Sequence, residues 1–266
     1  MEAFETLFAI FAFIFGAVFA SFAGVVAYRA PKGLSIVKPD SYCPSCKRPI
    51  KHVDNIPVLS WLLLGGKCRY CKSKIGLFSL LIEICGGLGF MFAYLQYGDT
   101  YKNLPIFIAL MLLVFLFLVM AGIDHETHDI YHITLVLFAV IAIFVTGYRV
   151  LVFESNIWDY VGGAALGFGF FGAIKLIAKF VLKKDALGTR DIYLVGIGGF
   201  LVGAFPLLLA IMFSTLLGSI IEIIKIRTSK SQREAEIAFG PYLLLGIGFM
   251  AIYGESIMKF YWEVLL

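Results

Sequence analysis

Long apolar runs constrain this chain more than any other feature. Runs of low charge extend over Leu7–Tyr28, Leu77–Leu95, Leu104–Ile123, Ile130–Val150, Tyr160–Leu182 and Asp191–Ala204. Two more follow, one ending near Ile226 after a turn or kink at Pro206, the other over Gly240–Tyr261. A lipid-spanning helix needs roughly 20 mostly apolar residues. The 266 residues are 61% hydrophobic and 15% charged, against about 45–50% and about 25% in soluble domains. The surplus suffices for about eight spans. A soluble enzyme, a disordered chain and a disulfide-stapled secreted domain are excluded. The expected fold is an all-α polytopic membrane protein. The first run is expected to persist as a span. Glu2 and Glu5, with no Lys or Arg, stand where a cleavable signal would be basic.

Positive charge orients these spans. Ten of the 22 Lys and Arg lie between Arg29 and Lys74. The segments Lys179–Arg190 and Lys225–Arg233 are basic too. Under the positive-inside rule all three face the cytoplasm, and the N-terminus lies outside. The cluster Asp124–Asp129 then falls on the cytoplasmic side. The basic stretch reads as a cytoplasmic loop against lipid, so nucleic acid is not an expected partner. Three parts follow: a first helix over 1–28, a cytoplasmic loop domain over 29–76 and a seven-helix membrane domain over 77–266. Within the loop, Ile56–Leu64 is apolar but too short to span, hence core or interfacial. No internal repeat is evident.

The loop carries a metal pattern. Four of the five cysteines form Cys43-Pro-Ser-Cys46 and Cys68-Arg-Tyr-Cys71, with about 21 residues between the pairs, close to zinc-ribbon spacing. Two such knuckles complete a tetrahedral all-cysteine site, which suits structural zinc. Iron accepts the same ligands, and disulfides disagree with a reducing compartment. Lys47, Arg48, Lys67, Arg69 and Lys72 would stabilise the thiolates. A loop of this size builds little core, so the metal would supply folding energy. Cys85, within an apolar run, reads as a packing residue.

Ionisable groups within spans are functional candidates by default. Glu255 and Lys259, spaced i, i+4, read as a helix-face pair, and Glu222 near Lys225 as a helix-end pair. The role of Glu83, inside the second span, is open. Asp124 and Asp191 each stand at the inner end of a span, at one depth. Two such carboxylates can share a proton, one activating water while the other hydrogen-bonds a scissile carbonyl. The alternative is a pair of aspartates ending helices. His125, His128 and His132 lack the order of a hydrolytic metal site and read as loop residues. Gly162, Gly163, Gly167, Gly169 and Gly172 read as helix packing.

Several segments together resemble the bacterial type IV prepilin leader peptidases, over nearly the whole chain. Residues Ala20–Pro31 are similar to that family's GSFLNVVxYRxP stretch, with Gly24 at its usual Asn. Asp54-Asn-Ile-Pro-Val-Leu-Ser-Trp61 matches DNIPxLSW, and Phe239-Gly-Pro-Tyr-Leu243 matches the late FGP motif. The family is similar to the GxGD class of aspartyl proteases. Its first aspartate corresponds to Asp124, with Tyr131 and His132 in place of the usual Pro-Asp. Its GxGD motif reads Gly188-Thr189-Arg190-Asp191, with Arg190 at the second glycine and Tyr193 at a commonly basic position.

The resemblance implies an enzyme with two activities. An Asp124/Asp191 dyad would cleave the basic leader of prepilins or pseudopilins at the cytoplasmic membrane face. The region carrying the cysteines would N-methylate the new N-terminus with S-adenosylmethionine. No GxGxxG after a strand supports the cofactor independently. A basic leader is expected to be drawn to Glu126 and Asp129. Two other readings compete. A proton-coupled transporter would use Asp124, Asp191 and Glu83 as a relay, yet its acids should lie deep and its helices be broken at the midplane. A zinc-ribbon scaffold would tolerate Asp→Asn at both positions.

Overall fold

The computed structural model describes residues 2–98, 100–127, 129–183, 188–228 and 239–265. Its helices are α1 (Glu2–Arg29), α2 (Leu59–Leu63), α3 (Leu77–Tyr97), α4 (Leu104–Thr127), α5 (His132–Val152), α6 (Ile157–Ile177), α7 (Thr189–Val202), α8 (Ala204–Thr228) and α9 (Gly240–Leu265). Among the described residues the only extended pairings are two isolated bridges in the cysteine loop. Among the described residues, seven helices are long and apolar enough to cross a bilayer. The remaining candidate span, α7, has 14 residues. It covers about 21 Å at 1.5 Å per residue, less than the roughly 30 Å of hydrocarbon.

A helix can stop within lipid only if its last carbonyls find donors, because each bare one costs several kcal/mol. Gly203, at φ +91, ends α7. Two side chains of α5 then cover the exposed carbonyls. Thr146 Oγ1 donates to Phe200 O at 2.9 Å, and Arg149 Nη1 donates to Leu201 O at 3.1 Å. Arg149 is 1% exposed. It also donates to Ala251 O at 2.6 Å and lies 3.1 Å from Glu255 Oε1. Glu255 therefore pairs across the bundle with Arg149, not along its own helix with Lys259. A buried guanidinium demands a counter-charge, whereas an i, i+4 surface pair contributes little.

The helices assemble around two cores that share α4. Helix α1 packs on α3, and both pack on α4, around Ala20, Ala23, Ala27, Ile82 and Ile123. A larger core joins α4, α5, α7, α8 and α9. Helices α6 and α7 approach closely: a Cβ on Gly163 would fall 2.3 Å from Gly199 O, and one on Gly167 2.6 Å from Val195 O. Those two glycines pack as the sequence suggested, while Gly162, Gly169 and Gly172 face open space. Outward-facing apolar side chains such as Phe8, Phe11 and Phe15 of α1 and Met212, Leu216 and Ile220 of α8 form a surface suited to lipid. The molecule is a multi-pass membrane protein.

The polar segments gather at one end. Lys32 meets Glu126, Phe78 stacks on His125, Arg190 meets Asp129, and Asp124 lies beside Gly240. In the cysteine loop, α2 leaves Leu59, Leu62 and Leu63 exposed, which favours the interfacial reading of that piece over the core one.

Candidate functional site

The cysteine loop forms two knuckles of matching backbone. In the first, Lys47 N donates to Cys43 O at 2.8 Å and Cys43 N to Arg48 O at 3.0 Å. In the second, Lys72 N donates to Cys68 O at 3.1 Å and Cys68 N to Ser73 O at 2.9 Å. Lys47 and Lys72 both adopt φ 58, and the bridges Tyr42–Pro49 and Lys67–Lys74 close the two turns. The loop thus holds a short structural repeat that the sequence reading did not register, because the identities are few: the cysteines, Lys47 with Lys72, and Ile50 with Ile75.

The knuckles bring the Sγ atoms of Cys43, Cys46, Cys68 and Cys71 within 4.8 Å of one another. The Cys46 backbone N–H and the Ser73 hydroxyl lower Cys43 to about 6. At Cys46 the Arg48 backbone N–H pulls down, but burial and hydrogen bonds shared with the other three cysteines push the thiol up to about 11. Hydrogen bonds from Ser73 lower Cys71 as well, so two of the four thiols are favoured as thiolates while Cys46 resists. Four thiolates at this spacing require a cation, and tetrahedral zinc fits the donor set. A bidentate pair ties the loop together: Arg69 Nε and Nη2 donate to Asp54 Oδ2 and Oδ1 at 2.7 and 2.5 Å. Arg69 holds the Asp54 carboxyl below its usual range.

Asp124 ends α4 with 6% exposure. It lies against Gly240, the first residue of α9, where a Cβ would fall 2.7 Å from Oδ2. The late Phe-Gly-Pro motif thus makes room for a carboxylate at a helix N-terminus, which favours negative charge. Asp191 sits at the third position of α7, and the cap residue Gly188 has no space for a Cβ, which would fall 2.9 Å from Asp191 Oδ2. Lys175 reaches the same turn by a hydrogen bond to Thr189. Arg190, which replaces a motif glycine, forms an ion pair with Asp129. That contact brings the stretch holding Asp191 to the stretch holding Asp124.

One expectation changes. Glu126 lies 3.7 Å from Lys32 Nζ, and Asp129 is paired with Arg190. The two carboxylates expected to attract a basic leader therefore already face cations of this chain. Glu222 accepts from Tyr242 Oη at 3.0 Å, which links α8 to the Phe-Gly-Pro-Tyr segment. His125 stacks on Phe78, His132 opens α5, and His128 lies outside the described residues. Among those residues only the four cysteines are grouped to hold a metal.

A cavity of about 370 Å³ opens between α1, α3, the end of α4 and the cysteine loop. Its wall joins the Ala20–Pro31 and Asp54–Trp61 motifs, including Ser21, Gly24, Asn55 and Trp61, with Glu83 of α3 and Gly122 and Glu126 of α4. Glu83 Oε2 accepts the Val58 N–H at 2.7 Å, and Ser21 is its second hydrogen-bond partner. Val58 has φ 64 and ψ −55, and Leu59 N donates to Pro57 O at 2.7 Å. This is the rarer γ-turn, strained at a β-branched residue. Sequence reasoning found Glu83 but not its role, since its partners come from other segments.

The model of the bacterial peptidase A24 N-terminal domain matches residues 14–97. A prepilin leader peptidase/N-methyltransferase of Bacillus subtilis is 31% identical over 258 residues, 96% of this chain and 98% of that one. One of Myxococcus xanthus is 33% identical over 221 residues, 83% of this chain and 64% of its own length, so the chain spans under two thirds of that relative. One of Pseudomonas aeruginosa is 29% identical over 271 residues, covering 93% and 91%. No solved structure matches.

Proposed function

The chain belongs to the prepilin leader peptidase/N-methyltransferase family, and on that premise we propose that it cleaves the leader of pilin-like precursors and methylates the N-terminus so exposed. The observation that carries the cleavage half is the Arg190–Asp129 ion pair, which holds the stretches of Asp124 and Asp191 at one end of the bundle. The ionised aspartate takes a proton from water, and the protonated one hydrogen-bonds the scissile carbonyl. The water oxygen adds to the carbonyl carbon, the C–N bond breaks, and the departing nitrogen takes up a proton. The transporter reading has no support among the relatives.

Residues 29–76 form the metal-bearing part, with Cys43, Cys46, Cys68 and Cys71 as zinc ligands, and contribute to methyl transfer. Residues 77–266 carry the peptidase, and 1–28 anchor the loop between them. Bound zinc would supply the positive charge that four thiolates need. S-adenosylmethionine would supply a methyl group on a cationic sulfur. Localisation is the bacterial inner membrane, N-terminus outside, with the polar end in the cytoplasm. Substrates are prepilins or pseudopilins, and nucleic acid is not a partner.

The test is leader cleavage of a prepilin-like substrate in membranes, read by mass. Asp124→Asn and Asp191→Asn, each checked for expression, should lower cleavage by about 10²–10⁴-fold. Full cleavage by either folded variant would remove that aspartate from the mechanism. An added methyl mass in the wild-type product would establish the second activity.

A further inference from the structure

Four charged side chains line the cavity beside α4, and three are engaged. Arg29 donates to the carbonyls of Ser35 and Pro39, Asp54 is held by Arg69, and Glu126 by Lys32. Glu83 differs. Its partners are the neutral Val58 N–H and Ser21 hydroxyl, and no ion pair among the described residues includes it. Of the aromatic rings that line the cavity, Tyr28 lies under Lys32, Tyr42 under Lys47, and Phe78 stacks on His125, which leaves Trp61. The Trp61 indole N–H is buried without a hydrogen-bond partner. A carboxylate without a counter-ion, in a cavity with one unengaged aromatic ring, suits a cationic guest.

We propose that this cavity binds the cationic partner of methyl transfer, a sulfonium methyl donor or the free α-ammonium of the cleaved chain, with Glu83 as its counter-charge. The proposal rests on the methyl-transfer reading above and gives that activity a location. It also relates the two activities in space. Gly122 and Glu126, one turn apart, face the cavity, whereas Asp124 faces Gly240 of α9. Residues two apart on a helix point about 200° from each other. Cleavage and methylation therefore occupy opposite sides of the last turn of α4, separated by about one helix diameter, roughly 10 Å. The new N-terminus passes around the end of α4 to reach the second site.

The experiment measures binding by the full-length protein in lipid nanodiscs. The probes are S-adenosylmethionine, which is cationic at sulfur, and S-adenosylhomocysteine, which is not. Two further probes are a pilin N-terminal peptide with a free amine and its N-acetylated form. In Glu83→Gln the side-chain oxygen still accepts the Val58 N–H, so only the charge is removed. If Glu83 reads the sulfonium, the variant loses about tenfold in affinity for S-adenosylmethionine and nothing for S-adenosylhomocysteine. If it reads the ammonium, the same loss falls on the free peptide and not on the acetylated one. A structural role for Glu83 would weaken all four probes together and would overturn the proposal, as would wild-type affinity for all four. Gly24→Phe fills the cavity at a position with open space and should abolish binding of the cationic probe. It decides the matter if Glu83→Gln does not fold. Methylation by wild type with unchanged discrimination in the variants would sink the cavity and spare the methyl-transfer reading. Wild type that neither binds the donor nor adds a methyl group would sink both.

Discussion

The last turn of α4 separates two acidic sites built by opposite means. On one side, Asp124 and Asp191 stand at helix ends, pressed against Gly240 and Gly188 with no room for a methyl group. On the other, Glu83 lines an open cavity and holds a strained turn through one backbone N–H. Close packing fixes the position of a carboxylate and suits chemistry that needs two acids in register. A cavity leaves room for a guest and suits recognition. The difference teaches that the position of an acid along a span says less about its role than the space around it.

The comparison sharpens most if the metal is removed. The cysteine loop supplies Tyr42, Pro44 and Trp61 to the cavity, whereas the glycines against Asp124 and Asp191 belong to α9 and to the cap of α7. Structural zinc contributes ~10–16 kcal/mol of apparent folding free energy in small metal domains. Chelation, or Cys43→Ser, should make residues 29–76 protease-sensitive and abolish methylation, while leader cleavage falls far less. Metal analysis should return one zinc per chain before chelation. Equal loss of both activities would break the division between the two faces of α4.

A pair of glycine substitutions tests the faces one at a time. Gly240→Ala would place a methyl 2.7 Å from Asp124 Oδ2, and displacement of a reacting group by about 1 Å can cost about 10²-fold. Cleavage should drop accordingly, with thermal stability nearly unchanged. Gly122→Ala would place a methyl 2.5 Å from the Ala27 Cβ, with overpacking that costs about 1–3 kcal/mol. It should lower methylation more than cleavage, measured as the methylated fraction of cleaved product. Reversal of the two outcomes would mean that the faces are assigned the wrong way round.

The smallest effect is a pH step within the loop. Arg69 keeps Asp54 below its usual carboxylate range. That depression adds stability that is fully present above the unfolded pKa of about 3.9. The contribution is lost as pH falls through the folded value. Proteolysis of the loop should therefore quicken only below about pH 4, and Arg69→Ala should remove the step. Because Arg69 is about half exposed, the pair contributes little.

Much of the site was legible in the sequence. The CxxC pairs named the metal ligands, since each knuckle is a local turn and its spacing is written in four residues. Asp124 and Asp191 were found at the ends of apolar runs, and Gly188 and Gly240 were found through the motifs they belong to. Glu83 was seen without a role, and Arg149 stands in the sequence as one charge at the end of an apolar run. Neither carries a local signature. The partner of Glu83 is a backbone N–H in the loop, and that of Arg149 a helix end two spans away. The pairing of Glu255 was misjudged because sequence spacing exposes neighbours on one helix and hides those across a bundle.

By itself the sequence determined that this chain is a bundle of membrane helices, with a four-thiol loop after the first and two aspartates at the ends of apolar runs. Those properties follow from apolar run length, charge asymmetry and short-range spacing, each a sum over residues close in the chain. Only the tertiary structure decided that α7 ends short of a full span, that Arg190 meets Asp129, and that Glu83 lines a cavity behind α4. Each depends on which groups from distant segments meet where water is scarce. There an unpaired carbonyl or charge costs several kcal/mol, and its partner is set by packing geometry rather than by order along the chain.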